Sequence, residues 1–496
     1  MNALRKLSFS VMLILCLTFA VPPAAFGDSS YRGYIYNNLE DTPLSINGYL
    51  YLDSFDGLTT SAGALNGPED IFVAEDDTLY IVESGNHRVI HIDRNNQVLG
   101  VFGDAEGDGK LNGPKGVYVT ADGDVYVADT LNRRIAVFAK DRKFKKQFGV
   151  PDSPLLGKDF VYAPSKLIVD KRGYLFVVSD GAIGGLMQIK PDGTFAGFFG
   201  ANHVGFDWTR TIVKLIATKE QKEQMASVRP PEFSNVYQDS SGFIYTTTLG
   251  IEMNQIKRLS AVGVDTLNGK SENWYGDWYM PSKNDQFLIS AFVDATVGKT
   301  GLITALDQTT GRLFQYDKLG NLLFIFGGIG QQDGLFKTPT SVAQTSDGMI
   351  YVADRTRNRI DRFYTTPFAD LVHEASALYV DGRYNDSLGP WNEVLRMNSN
   401  YDLAYYAIGK AQFRQQKYKE AMESFKMAHA QGAYSDALFE YRRVYVKEHF
   451  GELMTALISL FVIIRLFIAA VRRKWFARLA SLRKGPGKEL ERNEHA

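Results

Sequence analysis

The 496-residue chain is nearly devoid of the residues that staple or catalyse: it has one cysteine and seven histidines. The cysteine, Cys16, lies in an N-terminal apolar segment, so residues 28–496 carry no thiol. That excludes a disulfide framework, a cysteine metal site and a cysteine nucleophile in that region. A chain of this length buries enough apolar surface to fold without such staples. Of the histidines only His87, His91 and His203 fall between residues 65 and 366, and they do not recur at matched spacing. Matched histidines or convergent carboxylates would be the signature of a metal cluster, and that signature is absent, so neither a metal nor a cofactor is expected.

An excess of basic charge is also missing from most of the chain. The formal net charge is -1. Setting aside the +2 of residues 1–27, the +1 of Arg465 and the +5 of residues 472–496 leaves -9 on the remainder. A surface that acidic repels phosphate backbones, so nucleic acid is not an expected partner.

What the chain does have is two apolar runs at its ends. Arg5 and Lys6 precede the run 7–21, and Ala25, Phe26 and Gly27 follow with small residues where a signal peptidase reads. Residues 1–27 therefore read as a secretory signal, with an uncleaved anchor as the alternative. Residues 453–471, LMTALISLFVIIRLFIAAV, hold one charge, Arg465, and have the length of a membrane span. Arg442, Arg443 and Lys447 precede it; Arg472, Arg473, Lys474, Arg478, Arg483 and Lys484 follow. By the positive-inside rule residues 28 to about 450 are expected outside a cell membrane and the C-terminus in the cytoplasm, where the basic tail 472–496 would meet anionic lipid. Arg465 either snorkels to the near interface or pairs with an acidic group of a membrane-complex partner.

Between the ends the chain repeats itself. GDVYVADTLNRRIAVF at 123–138 returns as GMIYVADRTRNRIDRF at 348–363. Pro68-Glu-Asp-Ile-Phe-Val, Thr78-Leu-Tyr-Ile-Val and a closing Val101-Phe-Gly recur 46 residues on, starting from Pro114. Further copies begin with APSKLIVD at Ala163 and contain FSNVYQDSSGFIYTTT, 233–248, and TGRLFQYDKLGNLLFIFG, 310–327. Strand alternation with a glycine-bearing turn, copied six times, predicts an all-β, six-bladed β-propeller. Two stretches break the pattern: a helix-spaced insertion at about 201–231, and SENWYGDWYM at 271–280.

The motifs Pro-x-Gly-Val, Asp-Gly-x-Val-Tyr-Val-Ala-Asp and Asn-x-Arg-Ile-x-Val-Phe resemble NHL repeats over residues 65–366, strongest in copies one, two and six. The resemblance implies that GYLYLDSF, 48–55, within the 28–64 extension, is a closing strand of the sixth blade. Six-bladed relatives include lactonases and an amidating lyase with a metal in the central channel, so a metal-dependent enzyme is the alternative function. Past Pro367 the period becomes helical. ALYVDGRYNDSLGPWNEVLRM repeats as AQFRQQKYKEAMESFKMAHA at a spacing of 34, which resembles tetratricopeptide repeats over 367–450 and implies either a partner-binding solenoid or a stalk.

Candidate ligand contacts are few. Trp274, Tyr275, Trp278 and Tyr279 offer aromatic faces to a glycan or a protein, or pack over a worn repeat. Arg134 and Arg359 recur at one place in the blade, as do Asp129 and Asp354; they either line a propeller face or serve turn and strand hydrogen bonding. No residue is assigned a catalytic role. The expected function is recognition or scaffolding of a protein or glycan outside the membrane, with an accessory subunit of a membrane complex as a further alternative.

Overall fold

The computed structural model describes residues 29–39, 41–157, 160–182, 184–202, 230–269, 271–277 and 289–483. The expected signal segment 1–27, most of the 201–231 insertion, Trp278, Tyr279 and the end of the basic tail lie outside the described residues.

Each repeat folds as one antiparallel sheet, and the six sheets are the blades of a propeller. In chain order the strands are β1 (Tyr49–Phe55); β2 (Pro68–Val73), β3 (Leu79–Glu83), β4 (Arg88–Ile92) and β5 (Val98–Phe102) in blade 1; and β6 (Gly116–Val119), β7 (Val125–Asp129), β8 (Arg134–Phe138) and β9 (Phe144–Phe148) in blade 2. Blade 3 holds β10 (Pro164–Val169), β11 (Leu175–Ser179), β12 (Leu186–Ile189) and β13 (Phe195–Phe199); blade 4 holds β14 (Phe233–Gln238), β15 (Ile244–Thr248) and β16 (Ile256–Leu259). Blade 5 holds β17 (Phe292–Val297), β18 (Ile303–Asp307), β19 (Arg312–Tyr316) and β20 (Leu322–Gly327). Blade 6 holds β21 (Pro339–Gln344), β22 (Ile350–Asp354) and β23 (Arg359–Thr365).

β1 is the fourth strand of blade 6, running antiparallel to β23 from Tyr49 opposite Thr365 to Phe55 opposite Ile360. Blade 4 has three strands among the described residues. The outer edge of β16 is covered instead by a loop, in which Thr266 N donates to Arg258 O at 2.7 Å and Asn268 Nδ2 to Ile256 O at 2.8 Å. An exposed strand edge invites foreign pairing, and this loop blunts it.

The second strand of every blade is buried at all five positions. One-sided burial, the simplest reading of strand alternation, therefore fails at these strands. Blades pack face to face, so a middle strand is covered on both sides. Polar residues there need internal partners. Asp129 Oδ1 accepts Asn112 N at 2.7 Å, Asp307 Oδ1 accepts Ala291 N at 2.8 Å, and Asp354 Oδ2 accepts Lys337 N at 2.7 Å, each carboxylate pinning the loop that enters its own blade.

After β23 the helix α1 (Pro367–Val380) begins with Thr366, whose side chain accepts from Ala369 N, and with proline at its first position. Its buried face packs on blade 5, Phe368 against Phe324 at 6.0 Å between ring centroids. α2 (Tyr384–Met397) follows, then α3 (Asp402–Arg414), α4 (Tyr418–Met427), α5 (Gln431–Glu448) and α6 (Phe450–Arg483). The chain divides into two compact units, residues 1–407 and 408–496. In each unit the 34-residue spacing produces the same local packing: Tyr379 meets Tyr384 edge-on at 5.3 Å, and Phe413 meets Tyr418 edge-on at 5.3 Å. A Cβ on Gly409 would lie 2.6 Å from the Phe425 ring, so the glycine lets α3 and α4 approach closely. α6 is long and apolar enough to cross a membrane, and its apolar side chains are exposed.

Candidate functional site in the propeller channel

The inner strand of five blades carries a register shift at its second residue: between Pro68 and Asp70, Pro164 and Lys166, Phe233 and Asn235, Phe292 and Asp294, and Pro339 and Ser341. A bulge re-aims the residue that follows it. Asp70, Lys166, Asn235, Asp294 and Ser341 therefore occupy one equivalent place in their blades, with Gly116 at that place in blade 2. All five side-chain-bearing members are 9% exposed or less.

Four of them reach forward to the backbone of the next blade. Asp70 Oδ2 accepts Val117 N at 2.8 Å, Asn235 Nδ2 donates to Ala295 O at 3.0 Å, Asp294 Oδ2 accepts Val342 N at 2.9 Å, and Ser341 Oγ accepts Ile71 N at 3.1 Å. These bonds satisfy inner-edge backbone groups that no neighbouring strand can pair. Blade 2 does this by proximity: a Cβ on Gly116 would lie 2.2 Å from Ser165 O, so only glycine admits the approach of blade 3.

Lys166 is the exception, because it reaches across the channel rather than forward. Its Nζ donates to Asp70 Oδ1 and lies 3.3 Å from Asp294 Oδ2, tying blade 3 to blades 1 and 5. Asp70 Oδ1 also accepts from Ser341 Oγ at 2.9 Å. Burial alone would push the Lys166 ammonium down, but Asp294 and Asp70 outweigh it and hold the group above its usual value. Burial lifts the Asp70 carboxyl, against the pull of Lys166 and with the help of the Asp294 charge. The ammonium thus fills the position between two carboxylates that a bound cation would otherwise take.

Beyond this floor opens a cavity of about 1000 Å³, rimmed by the turns between the first and second strands of the blades. Eight acidic and four basic side chains line it. Several are already spent: Asp124 on Lys145 at 2.6 Å, Asp77 on Arg94 at 2.8 Å, and Asp170 on Arg172 at 2.7 Å. Glu75, Asp122, Lys171 and Lys299 remain without a hydrogen bond or ion pair among the described residues, two of each sign, while Asp239 is met only by the neutral donors Phe243 N and Tyr245 Oη, so the rim is polar and mildly acidic. On the wall Phe72 and Tyr118 meet edge-on at 5.1 Å between centroids. Burial pushes the Tyr118 hydroxyl up to about 12, and it stays a neutral donor and acceptor.

Of the residues singled out from the sequence, Arg134, Arg359, Trp274 and Tyr275 lie away from this cavity, and Trp278 and Tyr279 fall outside the described residues. Arg134 donates through Nε to Asp129 at 2.7 Å, and through Nη1 and Nη2 to the carbonyls of Asp108 at 2.9 Å and Lys110 at 2.8 Å. Arg359, at the matching position, turns instead to Asp361 and Asp333, both at 3.0 Å. Arg357 takes over the carbonyl contacts, at Gln331 and Gln332. Burial lifts the Asp361 carboxyl to about 6 against the pull of Arg359 and Arg357. His87 has a left-handed backbone, φ 54°, and its Nδ1 accepts Gly113 N at 2.9 Å; Asn358, φ 52°, accepts Gly67 N at 2.8 Å. Both are inter-blade turn contacts.

Tyr275 is 2% exposed, sits edge-on to Tyr316 at 5.2 Å and donates to Asn268 Oδ1 at 2.7 Å. Trp274 beside it is partly exposed. The next residue but one, Asp277, gathers the hydroxyls of Tyr34 and Tyr36, each at 2.6 Å, and Nη1 of Arg312 at 2.5 Å, so this loop anchors the N-terminal extension.

Sequence reasoning passed over Asp70, Lys166 and Asp294. The signal was present: a charged residue two positions after the first residue of three inner strands, where the other blades carry Gly116, Asn235 and Ser341.

The family model of the NHL repeat matches residues 111–138. No curated protein sequence matches the chain. Among solved structures the chain is similar to a catalytically inactive virginiamycin B lyase from Staphylococcus aureus, at 13% identity over 64% of this chain and 88% of that one, TM-score 0.40. It is similar to a gluconolactonase from Xanthomonas campestris, at 11% identity over 68% and 96%, TM-score 0.42. A protein of unknown function from Bacteroides thetaiotaomicron gives 13% identity over 63% and 72%, TM-score 0.42. At these identities and scores, no property of those proteins transfers to this chain.

Proposed function

We propose that the chain is a membrane-anchored recognition or scaffolding protein, with its propeller outside the membrane binding a polar protein segment or glycan in the channel cavity. The observation that carries this reading is Lys166. Its ammonium neutralises and occupies the place between Asp70 and Asp294, so the channel's convergent carboxylates are engaged with the protein's own cation. A metal-dependent lactonase or lyase needs those oxygens free to ligate. The polar rim and the Phe72–Tyr118 wall instead suit stacking and hydrogen bonding without bond cleavage. The anchor is α6, and the basic residues that follow its apolar stretch favour a cytoplasmic C-terminus.

The test uses the full chain in detergent. Glycan and peptide libraries are screened for binding with the wild type and with Tyr118→Ala, and lactone substrates are assayed with and without chelator. Saturable binding weakened about tenfold by Tyr118→Ala, with no chelator-sensitive turnover, is the expected result. Chelator-sensitive hydrolysis overturns the reading.

A further inference from the structure

The apolar part of α6 contains one charge, and its geometry does not fit an escape to water. Arg465 lies six residues before Val471, roughly 9 Å inside the C-terminal end of the stretch 453–471 at 1.5 Å per residue. Snorkelling would carry the guanidinium towards that end. Instead it lies over the Phe461 ring, 5.9 Å from its centroid and one turn towards the N-terminus. Phe461 is at the middle of the stretch, so the cation sits close to mid-span. Side chains on a helix lean towards its N-terminus, which is why a position on the C-terminal half of a span is poorly placed to reach the nearer interface.

A cation at that depth requires an anion or a strong acceptor. Arg465 makes no hydrogen bond or ion pair among the described residues. The only acidic residue in α6 is Glu452, thirteen positions away, roughly 20 Å along the axis. A second copy of this chain, inserted in the same direction, would set cation against cation and its Glu452 at the wrong depth. Self-association therefore cannot neutralise the charge. We infer that α6 docks in the bilayer against a transmembrane helix of a different protein, one that carries a carboxylate near mid-span, and that Arg465 is the residue that selects it. This rests on the proposed crossing of the membrane by α6.

The experiment reconstitutes the full chain in phosphatidylcholine vesicles with a synthetic 21-residue leucine helix carrying one central glutamate, and reads association by energy transfer between labels on each. Arg465→Leu and an all-leucine helix complete a double-mutant cycle. Each single change is expected to weaken association at least tenfold, the two together no further, and Arg465→Lys to be intermediate because it lacks the planar fork. Equal association of wild type and Arg465→Leu with the glutamate helix, or additive losses, overturns the inference. Alkaline extraction of the same vesicles reports separately on the crossing: wild type and Arg465→Leu should both stay in the bilayer, and release of both refutes the membrane span itself.

Discussion

Replacing Lys166 by methionine keeps most of the stem and removes the ammonium, which isolates the energetics of the channel floor. The side chains of Lys166, Asp70 and Asp294 are 11%, 7% and 6% exposed, so little solvent screening intervenes. Removing one partner of a buried ion pair costs about 3–5 kcal/mol. Here Asp70 keeps Val117 N and Ser341 Oγ as donors, and Asp294 keeps Val342 N and Ala295 N, which places the expected loss near the lower limit. For a cooperative unit of roughly 320 residues, about 3 kcal/mol lowers the melting temperature by about 4–5 °C. The Lys166 contribution is complete below its ordinary value of 10.5 and is lost only as pH rises through the higher folded-state value, so a calorimetric comparison at pH 7.5 sees all of it. The variant's deficit should shrink on acidification, as the two facing carboxylates take up protons. It should shrink also in the triple change Lys166→Met, Asp70→Asn, Asp294→Asn, which removes the repulsion. A deficit under about 1 kcal/mol at pH 7.5, or one that the triple change leaves intact, would refute the clamp.

Two further outcomes follow from the packing on blades 5 and 6. His373 is half-buried on α1, with Nε2 on Gln315 Oε1 at 2.6 Å and its ring against Phe324, and desolvation by this packing lowers its pKa from 6.5 to about 4. A depressed folded-state value means that its stability contribution is present above 6.5 and is lost as pH falls through about 4; that interval is worth about 3 kcal/mol, and His373→Gln should flatten this part of the denaturant-measured stability profile. Deleting residues 44–58 removes β1 and with it Tyr49, fully buried and stacked on Phe326 at 4.6 Å, and Phe55. The two aromatic side chains alone account for about 4 kcal/mol of burial, so this truncation should melt well below one lacking residues 486–496, and equal melting temperatures would place the ring's closure elsewhere.

Particular residues show how far one-dimensional reading reaches. The doubled Tyr-Val-Ala-Asp motif announced strands and turns because its alternation and its glycine are local properties, and the six sheets follow them. The 34-residue spacing likewise announced a repeated contact, seen as the Tyr379–Tyr384 and Phe413–Tyr418 pairs. The same motif misled where neighbours differ: Arg134 and Arg359 are equivalent letters, yet one caps carbonyls and the other meets Asp333 and Asp361, because the loop before blade 6 supplies an acid where the loop before blade 2 supplies backbone oxygens.

By itself the sequence determined the repeated β-sheet, the helical segment and the apolar stretch with its single cation, since each depends on residues within one turn, one strand or one blade of each other. Only the tertiary structure decided the channel floor. Lys166 is 96 residues from Asp70 and 128 from Asp294, and no periodicity links a lysine in one blade to carboxylates two blades away on either side. Their meeting requires the ring to close and five bulges to turn one position per blade inward, and that is a property of the assembled propeller rather than of any repeat in it.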